Sequence, residues 1–171
     1  MRVHFETERL IIRNLVPEDY ESAFEWCGDP EVNKYMIYPL YKKAEDVKTW
    51  LEGKDDTNPD NYDVGFALKE TGELIGCGGF VYNKEKDAWI VGYNLKKKYW
   101  GHGYVPEAMQ GILDEISKTR EVKAIEGEFA TENSKSRRVM EKLGMTYKCD
   151  CEYTKLDGSA TFPAKVYRRE F

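Results

Sequence analysis

The strongest periodicity in the chain is Val105, Ala108, Met109, Ile112, Leu113 and Ile116, which step by three and four and predict an amphipathic helix. Before it the period differs. Leu10-Ile11-Ile12-Arg13 predicts an opening strand, and Pro17 starts a helix whose apolar positions Tyr20, Ala23, Phe24 and Cys27 recur at helical spacing. Pro30 restarts the chain after Gly28-Asp29, and a second helix is expected from about Ala44 to Glu52, with Val47, Trp50 and Leu51 on one side. A polar loop from Lys54 to Tyr62 leads into a β meander. Its strands carry Val64, Phe66 and Leu68, then Leu74 to Tyr82 after a Thr71-Gly72 turn, then Ala88 to Leu95. Val122 to Phe129 predicts another strand. Asn133 or Ser134 can cap a last helix holding Val139, Met140 and Leu143, and Gly144 falls where a left-handed residue closes a helix. Met145 to Tyr153 and Ala164 to Arg169, around Asp157-Gly158, predict a terminal hairpin. The class is α+β: a mostly antiparallel mixed sheet with about four helices. No repeat or Pro/Ser-rich linker interrupts the chain, so residues 1–171 are expected to form one domain.

Composition mainly excludes. With 171 residues, 41% of them hydrophobic, the chain can bury a core without disulfides or metal. An aromatic content of 13% argues against disorder, and a net charge of −5 argues against nucleic acid as the main partner. No stretch approaches the roughly 18 apolar residues of a membrane span. Met1-Arg2-Val3-His4-Phe5-Glu6 lacks the apolar run of a signal peptide. Cys27, Cys77, Cys149 and Cys151 show neither a zinc spacing nor a disulfide framework, so reduced thiols, a cytoplasmic location and no metal are expected.

The candidate chemistry lies in Tyr93-Asn94-Leu95-Lys96-Lys97-Lys98-Tyr99-Trp100-Gly101-His102-Gly103-Tyr104, where a strand ends, a glycine loop follows and the strongest helix begins. Glycines allow successive backbone N–H groups to turn toward one point, and the helix N-terminus adds unpaired N–H groups with partial positive charge. Such a site binds phosphate. It is neither a P-loop, since no Gly-Lys-Ser/Thr follows, nor a complete GxGxxG fingerprint.

With this loop the chain resembles the GNAT superfamily of acyl-CoA-dependent N-acetyltransferases, and within it the Rim-type ribosomal-protein N-terminal acetyltransferases. Four blocks carry the resemblance: Glu6 to Arg13 with Pro17-Glu18-Asp19; Gly72 to Gly76; Tyr99 to Tyr104 with Glu107-Ala108; and Asn133, Ser136, Arg138, Val139 and Glu141 to Met145. The family loop usually opens with Gln or Arg; here Lys98 keeps the charge and loses the planar fork. Pro106 suits a first helical turn.

The resemblance implies acetyl-CoA as co-substrate, held in a gap between the strand ending near Leu95 and the strand Val122 to Phe129. Tyr93, Asn94 and Leu95 would pair with the pantetheine arm, and Lys98, Tyr99, Trp100, Gly101, His102, Gly103 and Tyr104 would bind the pyrophosphate. Asn133 would contact the pantetheine arm besides capping its helix. Ser136 would lie near the thioester sulfur as a hydrogen-bond donor, with Tyr147 competing for that role. A backbone N–H near Asn94 or Leu95 would stabilise the oxyanion as an amine attacks directly.

Glu126 and Glu128, two apart on a strand, share a face, and one of them could accept the amine's proton. His102 belongs to the loop rather than to catalysis, and Cys77 reads as a core thiol. Trp26, Trp50, Tyr35, Tyr38 and Tyr41 fall where the family builds its acceptor site, and Asp55, Asp56 and Asp60 would suit a cationic acceptor. The expected activity is acetyl transfer to a protein N-terminus or a small-molecule amine, by a monomer or homodimer. The alternative is an idle acyl-CoA-binding or partner-binding module of the same fold, and another nucleotide remains a third candidate ligand.

Overall fold

The sheet begins earlier than the apolar run at Leu10 predicts. In the computed structural model, which describes residues 2–171, β1 (His4–Glu6) folds back on β2 (Leu10–Arg13) with Phe5 opposite Ile12. Three residues with one apolar side chain are too few to register as an alternation. A 3-10 turn at Pro17–Asp19 leads into α1 (Tyr20–Cys27), and α3 (Ala44–Glu52) follows the bounds expected. Between them lies α2 (Pro30–Asn33), a single turn that raises the helix count to five. It forms because the Asp29 side chain accepts from the Glu31 N–H at 2.9 Å and Pro30 needs no hydrogen-bond acceptor.

Strands β3 (Asn61–Leu68), β4 (Leu74–Asn83) and β5 (Ala88–Leu95) form the meander; α4 (Tyr104–Ser117) crosses to β6 (Ala124–Ala130). Helix α5 (Ser134–Lys142) then precedes the hairpin of β7 (Thr146–Thr154) and β8 (Thr161–Glu170). The eight strands run in the order β1-β2-β3-β4-β5-β6-β8-β7, antiparallel everywhere except β5–β6.

Two layers of side chains hold the sheet. Toward α4, Ile12, Phe66, Phe80, Trp89 and Ile125 pack against Met109, Ile112 and Ile116. On the opposite face, α1 and α3 lay Ala23, Trp26, Val47 and Leu51 over Leu74 and Cys77. Strand β4 can pass between its neighbours only as glycine at position 79, where an added Cβ would lie 1.4 Å from the Tyr62 carbonyl oxygen.

The feature that matters most for function is a wedge. β5 and β6 pair only at Trp89↔Ile125 and Ile90↔Glu126, although β5 continues to Leu95 and β6 to Ala130. Val91 and Met140 fill the space above Gly127, where a Cβ would come within 2.5 Å of Val91 Cγ1 and 2.6 Å of Met140 Cε. Beyond that plug the two strands separate.

Candidate active site

The wedge opens into a cavity of about 620 Å³, bounded by the end of β5, the loop into α4, the start of α5 and the segment after α2. Gly101 (φ 80°) and Gly103 (φ 77°) are both left-handed, a conformation glycine adopts without steric cost, and Gly103 is the residue before the first turn of α4. The N–H groups of Gly101, His102, Gly103, Tyr104 and Val105 find no acceptor among the described residues. A run of unpaired donors at a helix N-terminus is the chemistry a diphosphate requires. The loop is braced from below, where Trp100 Nε1 donates to the Leu95 carbonyl at 3.0 Å.

Of the residues the sequence assigns to the co-substrate, Tyr93, Asn94, Leu95, Tyr99, Trp100, Gly101, Gly103, Tyr104, Asn133 and Ser136 line this cavity. Lys98 and His102 do not. The Lys98 ammonium lies 3.2 Å from Glu73 Oε1, on the turn between β3 and β4. His102 packs its ring 5.9 Å from that of Tyr104, and its carbonyl accepts from Arg9. Both are loop members whose side chains point elsewhere.

Cations that sequence reading missed surround the same space: Lys34, Lys135, Arg138 and Lys142 line it, and Lys135 Nζ sits 3.9 Å above the Trp100 ring. The signal was present. Lys135, Arg138 and Lys142 step by three and four, which puts them on one face of α5.

Ser136 is placed by two devices. The Asn133 side chain caps α5 by accepting from the Ser136 N–H at 3.4 Å, and the Tyr93 hydroxyl lies 2.5 Å from Ser136 Oγ. Burial pushes the Tyr93 pKa up, so the phenol stays protonated. The Tyr93 hydroxyl also donates to the Ser136 carbonyl at 3.2 Å, and between the two hydroxyls either oxygen can be the donor. Tyr147, the competitor for this role, is 55% exposed on the edge strand β7, its ring 6.4 Å from that of Tyr167. A bulge between Tyr147 and Cys149 resets the alternation there.

The two glutamates share a strand face as expected, but their surroundings differ. Glu126 is 2% exposed, with Lys86, Lys148 and Arg168 at 2.5, 3.0 and 3.0 Å. Burial raises its pKa, but hydrogen bonds from the three cations outweigh that and hold it at about 2. A carboxylate so saturated is a poor proton acceptor, which corrects the reading of Glu126 as a candidate base. Glu128 is exposed past the point where β5 and β6 part. Burial and the negative charge of Glu128 raise the neighbouring Cys151 thiol. Neither acid lines the cavity itself.

Strand register places an open trough on the α1/α3 face of the sheet. Asp63 is paired with Gly79 and Gly79 with Gly92, while Cys77 and Asn94 form the next row. A Cβ on Gly92 would meet nothing within 4 Å. Above this trough, Asn94 Nδ2 donates to the Tyr38 hydroxyl at 3.3 Å, and desolvation pushes that phenol up to about 12. The Cys77 thiol is also raised, chiefly by burial, and reads as inert.

Tyr35 and Met36 line the cavity because the β7–β8 hairpin holds them. Tyr153 donates to the Tyr35 carbonyl at 2.6 Å, and Lys155 Nζ donates to the carbonyls of Asn33 and Met36 at 2.9 and 2.8 Å. Trp26, expected at the acceptor wall, is instead a core residue at 1% exposure, and Trp50 packs on Tyr41. Asp55 caps its own loop at Thr57, and Asp60 pairs with Arg120.

Comparison with known proteins gives the family and the fold. The acetyltransferase (GNAT) domain family matches residues 9–146, and the chain belongs to that family. It is an acyl-CoA-dependent acetyltransferase. An uncharacterized N-acetyltransferase, p20, of Bacillus licheniformis is 29% identical over 140 residues, covering 80% of this chain and 79% of the relative. In fold the chain is similar to a GNAT-family acetyltransferase of Bacillus anthracis, at a TM-score of 0.82 and 24% identity, covering 98% of each chain. It is also similar to the ribosomal-protein-S5-alanine acetyltransferase of Vibrio fischeri, at 0.72 and 21%, covering 98% of this chain and 96% of that one.

Proposed function

We propose that the protein transfers an acetyl group from acetyl-CoA to a primary amine, either a protein N-terminus or a small molecule, by direct attack on the thioester. The observation that carries this reading is the single cavity joining the glycine loop, the open end of β5 and the Ser136–Tyr93 pair. The N–H groups from Gly101 to Val105 would hold the pyrophosphate, with Lys34, Lys135, Arg138 and Lys142 supplying positive potential. The backbone of Tyr93, Asn94 and Leu95, beyond the point where β5 leaves β6, would pair with the pantetheine arm. Acetyl-CoA supplies an acyl carbon that an amine can attack. Glu128 accepts the proton that the ammonium must lose first, directly or through water. An N–H near Asn94 or Leu95 stabilises the oxyanion, and the Ser136 hydroxyl donates to the departing sulfur. The buried, high-pKa Cys77 thiol supports a route without acyl-cysteine. Four unpaired cysteines support a reducing, cytoplasmic setting.

The first test is thermal stability with acetyl-CoA, CoA, ATP and NAD at matched concentration. At about 100 times its Kd a ligand stabilises the fold by about 2.7 kcal/mol. A rise with acetyl-CoA and CoA alone, followed by thiol release when N-terminal peptides or small amines are added, is the expected outcome. Binding without thiol release for any amine favours the idle module. A rise with ATP or NAD alone overturns the co-substrate.

A further inference from the structure

An anionic ligand at the start of α4 faces an obstacle: Glu107 places a carboxylate in the helix's first turn, one residue past Pro106. Its pKa is lowered; burial opposes the shift, and hydrogen bonds from Thr7 and Arg9 outweigh it, so the charge persists at neutral pH. Both of its oxygens are nevertheless occupied by the chain's N-terminal segment. The Thr7 hydroxyl and the Arg9 N–H donate to Oε2 at 2.7 and 2.9 Å, and Arg9 Nε donates to Oε1 at 2.8 Å. The same guanidinium reaches across the loop. Its Nη1 donates to the His102 carbonyl at 2.9 Å, and its carbon lies 4.3 Å over the Tyr104 ring.

His102 stands between the two left-handed glycines. Fixing its carbonyl on the Arg9 side orients the peptide plane that carries the Gly103 N–H, because the two groups are antiparallel in one rigid unit. We infer that Arg9 is a positioning residue for the co-substrate: it sets the loop's donors through the His102 carbonyl and cancels the Glu107 charge that would otherwise oppose the diphosphate. The inference rests on reading the cavity as the acetyl-CoA site. It also gives a role to the Thr7-Glu8-Arg9-Leu10 block, whose Arg9 lies 98 residues from Glu107 in sequence and meets the cavity's lining at Tyr104.

The test measures acetyl-CoA Kd, KM and kcat for the wild type, Arg9→Ala, Arg9→Lys, Glu107→Gln and the double variant Arg9→Ala/Glu107→Gln. Arg9→Ala is expected to raise Kd and KM for acetyl-CoA about tenfold while kcat at saturation changes less than about twofold. Arg9→Lys, which keeps the charge without the two-pronged reach, is expected to fall between. The double variant should bind acetyl-CoA more tightly than Arg9→Ala alone, since it removes the charge left uncancelled. With S-acetylpantetheine, which has no diphosphate, all variants should match the wild type; a merely structural role would lower both reactions alike.

Wild-type-like affinity in Arg9→Ala, or a double variant weaker than either single one, overturns the role of Arg9. Should Arg9→Ala fail to fold, Arg9→Lys decides, and acetyl-CoA affinity equal to wild type overturns the inference. A wild type that binds no acetyl-CoA overturns the co-substrate reading instead.

Discussion

The two sides of β5 are built by different means. Toward α4 and α5, one stretch from Tyr93 to Pro106 supplies a long wall of the cavity, and the groups proposed to bind there are backbone N–H donors beside two left-handed glycines. On the opposite face, the proposed working groups are side chains brought from separate places: Tyr38 after α2, Asn94 on β5 and Glu128 on β6. A backbone-built site survives changes of side chain, as Lys98 illustrates by turning to Glu73 without leaving the loop. A side-chain-built site changes its substrate whenever one contributor changes. The proposed donor pocket thus has the sturdier construction, and the proposed acceptor side the more adjustable one.

This contrast can be broken in graded ways. Gly79→Ala should have the largest effect, because its Cβ would sit 1.4 Å from a backbone oxygen that cannot yield. We expect no folded soluble protein by circular dichroism, whereas Gly92→Ala on the same row enters open space and should fold normally. Next is Glu128→Gln, expected to lower kcat/KM for the amine about a hundredfold near neutral pH, the usual worth of a positioned base. Acetyl-CoA affinity should be unchanged, and a pH–rate profile identical to wild type would remove Glu128 from the mechanism. Ser136→Ala should cost about tenfold in kcat, the scale of one hydrogen bond to a developing charge, with KM for acetyl-CoA little altered.

The smallest effect on rate belongs to Glu126→Gln, which should leave turnover intact and reduce stability. The folded pKa of about 2 lies below the ordinary 4.5, so the ionised carboxylate stabilises the fold above pH 4.5 and that contribution is lost as pH falls toward 2. Because two of its three cationic partners are half exposed, about 1–2 kcal/mol is expected. Melting temperatures of wild type and variant should differ at pH 7 and converge as pH falls through that window. A loss of activity in Glu126→Gln with stability preserved would restore it as a candidate base.

The same contrast explains how far the sequence could be read. Helix α4, α3 and strand β5 are legible because each buries one face and repeats its apolar residues at the matching period. The glycine loop is legible because its chemistry is local. The short β1 is not, since one half-buried ring at Phe5 makes no pattern, and neither is the fate of Glu126, whose three cations come from residues 86, 148 and 168. Period predicts which face a strand residue takes; it does not predict what the neighbouring strands bring to that face. The bulge that leaves Tyr147 on the outer edge of β7 is invisible to period for the same reason.

Lys155 follows Met36 by 119 residues, yet its ammonium anchors the carbonyls that shape the wall beside Tyr35. As the chain is synthesised from its N-terminus, the glycine loop and α4 are complete while that wall still lacks its anchor. Tying it down closes a loop of more than a hundred residues, a contact of high sequence separation and slow formation. The wall at Tyr35 is therefore the last part of the cavity to be secured. Its completion depends on a lysine that contributes nothing to the cavity's lining.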